Sequence, residues 1–149
     1  KTVRGNTIVI AMDMQLPRPY DNRWQIQGTR GLYNEQRDAV FLADSPGKAE
    51  NWEPFGPYQV KYDHSLCQSL PEAIRGGSHG GTDVIELREF VGSVRAKTQT
   101  PIDVYDSVTM SVIFPLSERS IAAGSAPVKC PDFTGGRWKT TKPKFAVES

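Results

Sequence analysis

At 149 residues, with 38% hydrophobic and 23% charged side chains, the chain has the make-up of one folded domain, neither disordered nor fibrous. Eighteen basic residues against 17 acidic ones leave a formal net charge of +1, which gives no electrostatic reason to expect nucleic acid or an anionic membrane as partner. No apolar run approaches the roughly 20 residues needed to span a bilayer.

Lys1 to Arg4 lead at once into a strand pattern, with no initiator methionine or leader, so the chain reads as a piece truncated at its N-terminal side. From Asn6 to Met14 the residues alternate, with Ile8, Ile10, Met12 and Met14 on one face and Val9 and Ala11 on the other. A strand apolar on both faces requires cover on both sides. The two prolines of Leu16-Pro17-Arg18-Pro19-Tyr20 then force a stiff turn out of any ladder. Residues 24–27 and 31–36 predict two short strands joined as a hairpin through Gly28-Thr29-Arg30-Gly31, and 39–43 a further strand. Asp44 to Pro57 reads as an irregular surface loop, and Tyr58 to Arg75 as helical in parts, interrupted near Pro71.

Two stronger helices follow. Thr82 or Asp83 caps the first, whose Val84, Leu87, Val91 and Val94 recur at helical spacing together with Ile85 and Phe90. The second starts near Asp106 as its N-cap, places Tyr105, Val108, Val112 and Leu116 along one side, is broken or kinked by Pro115, and stops at Gly124. Strands first and helices later argue for an α+β fold, a mainly antiparallel sheet with helices on one face. The whole of residues 1–149 is expected to be a single domain. Cys67 and Cys130 are expected to be free buried thiols, and no spaced set of cysteines and histidines suggests a metal cage.

The candidate chemistry centres on Gly76-Gly77-Ser78-His79-Gly80-Gly81-Thr82-Asp83, which runs straight into the first strong helix. Glycines allow a tight turn and close approach of a ligand, and a histidine held there is placed to line a cleft; the alternative is a solvated structural turn. The stretch formally matches a G-x-S-x-G nucleophile elbow, but no strand precedes it and no histidine follows His79. It lacks the Lys-Ser/Thr of a P-loop, and the sequence contains no Gly-x-Gly-x-x-Gly. Asp103 and Asp106 are the nearest thing to a glycosidase carboxylate pair, although Asp106 is better read as a cap. Arg18-Pro19-Tyr20 sets a guanidinium and a phenol on a stiff turn, where they can contact an anionic group and a sugar hydroxyl; the alternative is a packed tyrosine corner. The phrase PDFTGGRW, residues 131–138, is read as a pin for the C-terminal segment.

Taken in order, GNTIVIAMDMQLPRPY, GTRG, HGGTD, PIDVYDSVTMSVIFPLSERSI and PDFTGGRW resemble the C-terminal region of the Gfo/Idh/MocA oxidoreductases. The nearest branch is that of the NAD-dependent α-N-acetylgalactosaminidases, glycoside hydrolase family 109, and the resemblance runs from Asn6 to Trp138. It implies an N-terminal Rossmann domain that binds NAD(P) and is absent from this chain, and a C-terminal α/β domain that closes the substrate site. It also implies that an open sheet face makes subunit contacts, so a homo-oligomer is expected. The implied chemistry is redox-assisted elimination, with the cofactor taking and returning a hydride and the protein supplying orientation and proton transfer.

By the same resemblance Tyr20 contacts the substrate, with His79 and Arg18 as further substrate-binding candidates and Asp83 as a helix cap. No residue of this chain is expected to bind the cofactor or a metal, and the isolated chain is expected to be inactive. Family members are often exported to the bacterial envelope. The alternative function is an autonomous carbohydrate-binding or structural module built on the loop aromatics Trp52, Phe55, Tyr58 and Trp138.

Overall fold

Four short strands form one antiparallel sheet in the order β1-β2-β3-β4 in the computed structural model, which describes residues 2–13, 15–45 and 51–142. The chain groups into two units, residues 1–62 and 63–149. The sheet lies in the first and most of the helix in the second, so the expected α+β class holds.

In the first unit β1 (Gln25–Gln27) and β2 (Gly31–Asn34) pair with Ile26 opposite Tyr33. The turn between them closes where the Gly28 N–H donates to the Gly31 carbonyl at 2.9 Å. Gly31 is obligatory for packing: a Cβ there would lie 2.9 Å from the Phe41 carbonyl oxygen of the neighbouring strand. β3 (Ala39–Leu42) pairs with β2, Tyr33 opposite Val40, after a 3-10 turn at Glu35–Arg37. That turn is closed by the Asn34 side chain, which accepts from the Arg37 N–H, and by Asp38 at φ 46.

The loop expected between residues 44 and 57 is not wholly irregular: β4 (Glu53–Pro54) adds to β3 with Val40 opposite Glu53, and α1 (Gly56–Tyr62) follows. Residues 46–50 of that stretch lie outside the described residues. Ala39 and Val40 are buried, and Tyr33 meets Phe55 with ring centroids 4.6 Å apart.

Over the described residues 6–13 the expected strand does not form. Residues 6–13 belong to no ladder, Met14 lies outside the described residues, and Ile8, Val9, Ile10 and Met12 are exposed. Alternation prepares a segment for a sheet, but the backbone bonds that make a strand come from a partner segment. The expectation of an open sheet face at Val9 and Ala11 therefore becomes one of an exposed apolar segment without a ladder.

In the second unit α2 (Ser65–Gln68) and α3 (Glu72–Arg75) flank Pro71, as the sequence predicts. α4 (Thr82–Ala96) is the longest helix among the described residues. Its buried residues are Ile85 and Ser93, whereas Val84, Leu87, Val91 and Val94 are 40–65% exposed, so the expected apolar stripe is not the covered face. Cover instead comes from the preceding turns, with the Arg88 guanidinium donating to the Ser69 hydroxyl at 3.0 Å. Leu70 and Ile85 are the buried apolar side chains of this unit among the described residues.

α5 (Val104–Ser111) and α6 (Ile113–Ala122) are separate helices. The break falls at Val112, three residues ahead of Pro115, because a proline lacks an N–H to donate and is tolerated only in a helix's first turn. α6 ends at Ala122, two residues before the expected stop at Gly124. The N-cap of α5 is Asp103 rather than Asp106: Asp103 accepts from the Tyr105 and Asp106 N–H groups while the Asp106 side chain accepts from the Asp103 N–H. A reciprocal box satisfies more of the unpaired amides than a single cap at Asp106 would. Cys67 and Cys130 are both free, but neither is buried as expected: Cys67 is half-buried, where partial desolvation pushes its thiol up, and Cys130 is exposed.

Candidate functional site

Arg18 and Tyr20 lie in the first unit and His79 in the second, and each is built by local geometry. Pro17 and Pro19 hold residues 17–20 outside any ladder. Arg18 folds back on this turn, donating from Nη2 to the Asp13 carbonyl at 2.6 Å and pairing with the Asp13 carboxylate at 3.5 Å. Its guanidinium therefore braces the loop that carries the tyrosine. Tyr20 is 91% exposed, which removes the packed tyrosine corner as an explanation.

Asp21, the next residue, ties that phenol to the sheet. Its carboxylate accepts from the Arg23 N–H and Nε and from Gln36 Nε2 at 3.0 Å, the last lying on the turn between β2 and β3. The Arg23 hydrogen bond holds the Asp21 carboxyl below the usual carboxylate range. Sequence reasoning passed over Asp21, although an aspartate two residues before an arginine beside a turn is a readable signal.

The glycine-rich loop is a short 3-10 turn at Ser78–Gly81, following a helix rather than a strand, which excludes a nucleophile elbow. His79, Gly80 and Gly81 all adopt left-handed backbone, with φ of 51, 64 and 82. That run reverses the chain into α4. Gly81 is its N-cap and makes no side-chain cap, so neither Thr82 nor Asp83 caps the helix as expected. Thr82 Oγ1 instead donates to the His79 carbonyl at 2.8 Å. Gly81 lies hard against α3, where an added Cβ would come within 2.7 Å of the Ile74 carbonyl oxygen.

With the cap position taken by glycine, the Asp83 carboxylate turns to the histidine. Its two oxygens lie 3.0 and 3.1 Å from His79 Nδ1, one helical turn apart in sequence. The imidazole itself stays 76% exposed. The i, i+4 spacing of His79 and Asp83 is readable in the sequence, where a helix cap is the competing role for the aspartate.

The other acids and aromatics that the sequence singles out are engaged locally. Asp103 and Asp106 form the α5 capping box, which excludes them as an acid–base pair facing a glycosidic bond. The Asp132 carboxylate collects the Thr134 N–H and hydroxyl, the Gly136 N–H and Trp138 Nε1, and these bonds hold it below the usual range. Arg137 of the same knot stacks 4.6 Å over the Tyr105 ring, pinning the segment to α5 as the sequence suggests. Trp52 carries the Arg37 guanidinium at 5.2 Å, Phe55 packs on Tyr33, and the Tyr58 hydroxyl donates to Glu53 at 2.9 Å. Among the described residues no three histidine, cysteine or acidic side chains gather as a metal site, and no helix is long and apolar enough to cross a membrane.

Comparison with known proteins gives a consistent answer. Residues 1–140 match the family model for the glycosyl hydrolase 109 C-terminal domain. A glycosyl hydrolase family 109 protein of Stenotrophomonas maltophilia is 40% identical over 144 residues, covering 97% of this chain and 32% of the relative. An alpha-N-acetylgalactosaminidase of Tannerella forsythia is 40% identical over 147 residues, covering 99% of the chain and 31% of the relative. Glycosyl hydrolase family 109 protein 2 of Akkermansia muciniphila is 37% identical, with 99% and 32% covered. The chain thus spans about a third of the length of these curated relatives.

Proposed function

The chain belongs to the glycosyl hydrolase 109 C-terminal domain family, and on that premise we propose that residues 1–149 form the substrate-side and subunit-contact domain of a longer NAD(P)-dependent glycosidase acting on α-N-acetylgalactosaminides. The observation that carries this is the match of residues 1–140 together with a relative named for that activity and three times as long. A glycosidase is favoured over a plain sugar dehydrogenase by that relative's name.

The residues present do not fit the cofactor. The described strands are joined as antiparallel hairpins, and the sequence has no Gly-x-Gly-x-x-Gly to bring backbone against a pyrophosphate. The cofactor is assigned to an N-terminal Rossmann domain, and the part argued for this chain is binding and orientation. Tyr20 presents a phenol able to donate to or accept from a sugar hydroxyl, on a turn braced by Arg18 and Asp21. His79 presents an imidazole anchored at one nitrogen by Asp83. The exposed Ile8, Val9 and Ile10 are assigned to a contact with another subunit, whose formation light scattering on the longer protein would read as a stable oligomer.

The test uses both lengths of polypeptide. Calorimetry of residues 1–149 with NAD+ is expected to give no binding, and the longer polypeptide to release N-acetylgalactosamine from an α-linked glycoside. Micromolar NAD+ binding or glycoside turnover by residues 1–149 alone would overturn the reading.

A further inference from the structure

We propose that Asp21 is a positioning residue: its carboxylate joins Arg23 to Gln36, fastens the turn that carries Tyr20 to the sheet, and so sets the phenol's hold on a saccharide hydroxyl. The saccharide half rests on the function proposed above. The two neighbours are placed differently, Tyr20 being 91% exposed and the Asp21 side chain 27%.

The Asp21 carboxylate makes two local bonds and one long one. Oδ1 accepts from the Arg23 N–H at 3.1 Å, and Oδ2 from Arg23 Nε at 2.9 Å. Oδ2 also accepts from Gln36 Nε2 at 3.0 Å, 15 residues along the chain. Arg18 braces the same turn to Asp13, 5 residues back and within its own segment. The bond to Gln36 therefore fastens the tyrosine's turn to the turn between β2 and β3. An amide at position 21 would keep one acceptor oxygen where the carboxylate uses both.

The backbone is gripped at the same place. Arg23 adopts φ 53, in the left-handed region that long side chains seldom enter. The Trp24 N–H donates to Glu35 Oε2 at 2.9 Å, and the Trp24 carbonyl accepts from the Glu35 N–H at 2.9 Å. Glu35 and Gln36 sit side by side in the 3-10 turn that the Asn34 side chain closes. Neighbouring residues of one turn thus hold the chain at 24 and at 21, on either side of the strained arginine. Strain of this kind persists where the surroundings over-determine it, and it clusters where a ligand is held.

The test uses the whole natural polypeptide carrying these residues. Gln36→Met removes the long bond but leaves the Arg23 N–H its carboxylate. It is expected to speed deuterium exchange of the Arg23 and Trp24 amides by at least about threefold. Asp21→Ala is expected to lower kcat/KM for a chromogenic α-N-acetylgalactosaminide by about fivefold or more, and by less than about twofold in a Tyr20→Phe background. A merely structural role would lower kcat/KM equally in both backgrounds. Gln36→Met is carried through the same cycle, so the outcome does not hang on the folding of Asp21→Ala. Exchange that Gln36→Met leaves unmoved overturns the proposal. So does wild-type kcat/KM in the Asp21 and Gln36 variants while Tyr20→Phe loses activity, or an equal fall in both backgrounds. A wild type that releases no N-acetylgalactosamine, or Tyr20→Phe at full kcat/KM, strikes the function and the saccharide half, whereas exchange decides the fastening of the turn.

Discussion

His64 and His79 both stand at the start of a helix in the second unit, and both engage a local partner through Nδ1. At His64 the partner is a backbone donor, so the ring completes α2 by satisfying an amide that the helix leaves unpaired. At His79 the partner is an acceptor, and the helix start is left to Gly81. One imidazole is part of the scaffold. The other is held by the scaffold and faces outward. The same side chain thus caps a helix or turns to a carboxylate according to whether its neighbour donates or accepts a hydrogen bond.

That contrast can be broken at its backbone. Gly81→Ala places a Cβ within 2.7 Å of the Ile74 carbonyl at φ 82, and is expected to destabilise the protein by about 3 kcal/mol or more in denaturant unfolding. A loss under about 1 kcal/mol would mean that the left-handed run does not hold the loop. Asp103→Ala removes the α5 capping box and should cost about 1–2 kcal/mol by the same measurement. His64→Ala, losing a single cap, should cost about 1 kcal/mol. Asp83→Ala should cost no more than about 0.5 kcal/mol, because its partner is an exposed imidazole and not the helix amides. If Asp83→Ala proves as damaging as Asp103→Ala, the distinction between the two acids is lost.

The smallest effect concerns pH. Asp21 and Asp132 have folded pKa values lowered from 3.8 by their hydrogen bonds. A carboxyl whose folded pKa lies below its unfolded one stabilises fully above the unfolded value and loses that contribution as pH falls through the folded value. Stability should therefore hold down to about pH 4 and decline below it. Asp132→Asn should make that acid decline shallower, as followed by thermal melts across the acid range.

How much of this was legible beforehand depended on whether the determining partner was near in sequence. The Gly28–Gly31 hairpin, β3, the interruption at Pro71 and the stop before Gly124 were readable, because turn chemistry acts over a few residues. Residues 6–13 carry the clearest alternation in the chain and form no ladder, since a strand needs a second segment that alternation cannot name. β4 escaped notice because two residues are too few for a period. The stripe Val84, Leu87, Val91 and Val94 was correctly helical yet exposed, since periodicity gives a face and not what covers it. At the site, Tyr20, Arg18 and His79 were legible from their proline- and glycine-framed loops, and the resemblance ranked them. Their braces Asp13, Asp21 and Asp83 are short-range contacts whose acids had been read otherwise or passed over.

The most direct measurement is hydrolysis of a chromogenic α-N-acetylgalactosaminide by the whole polypeptide, comparing wild type with Tyr20→Phe and His79→Ala. The account predicts unchanged unfolding midpoints and kcat/KM values lowered at least about tenfold in each variant, the scale of one lost hydrogen bond to substrate. Wild-type kcat/KM in both folded variants would contradict it.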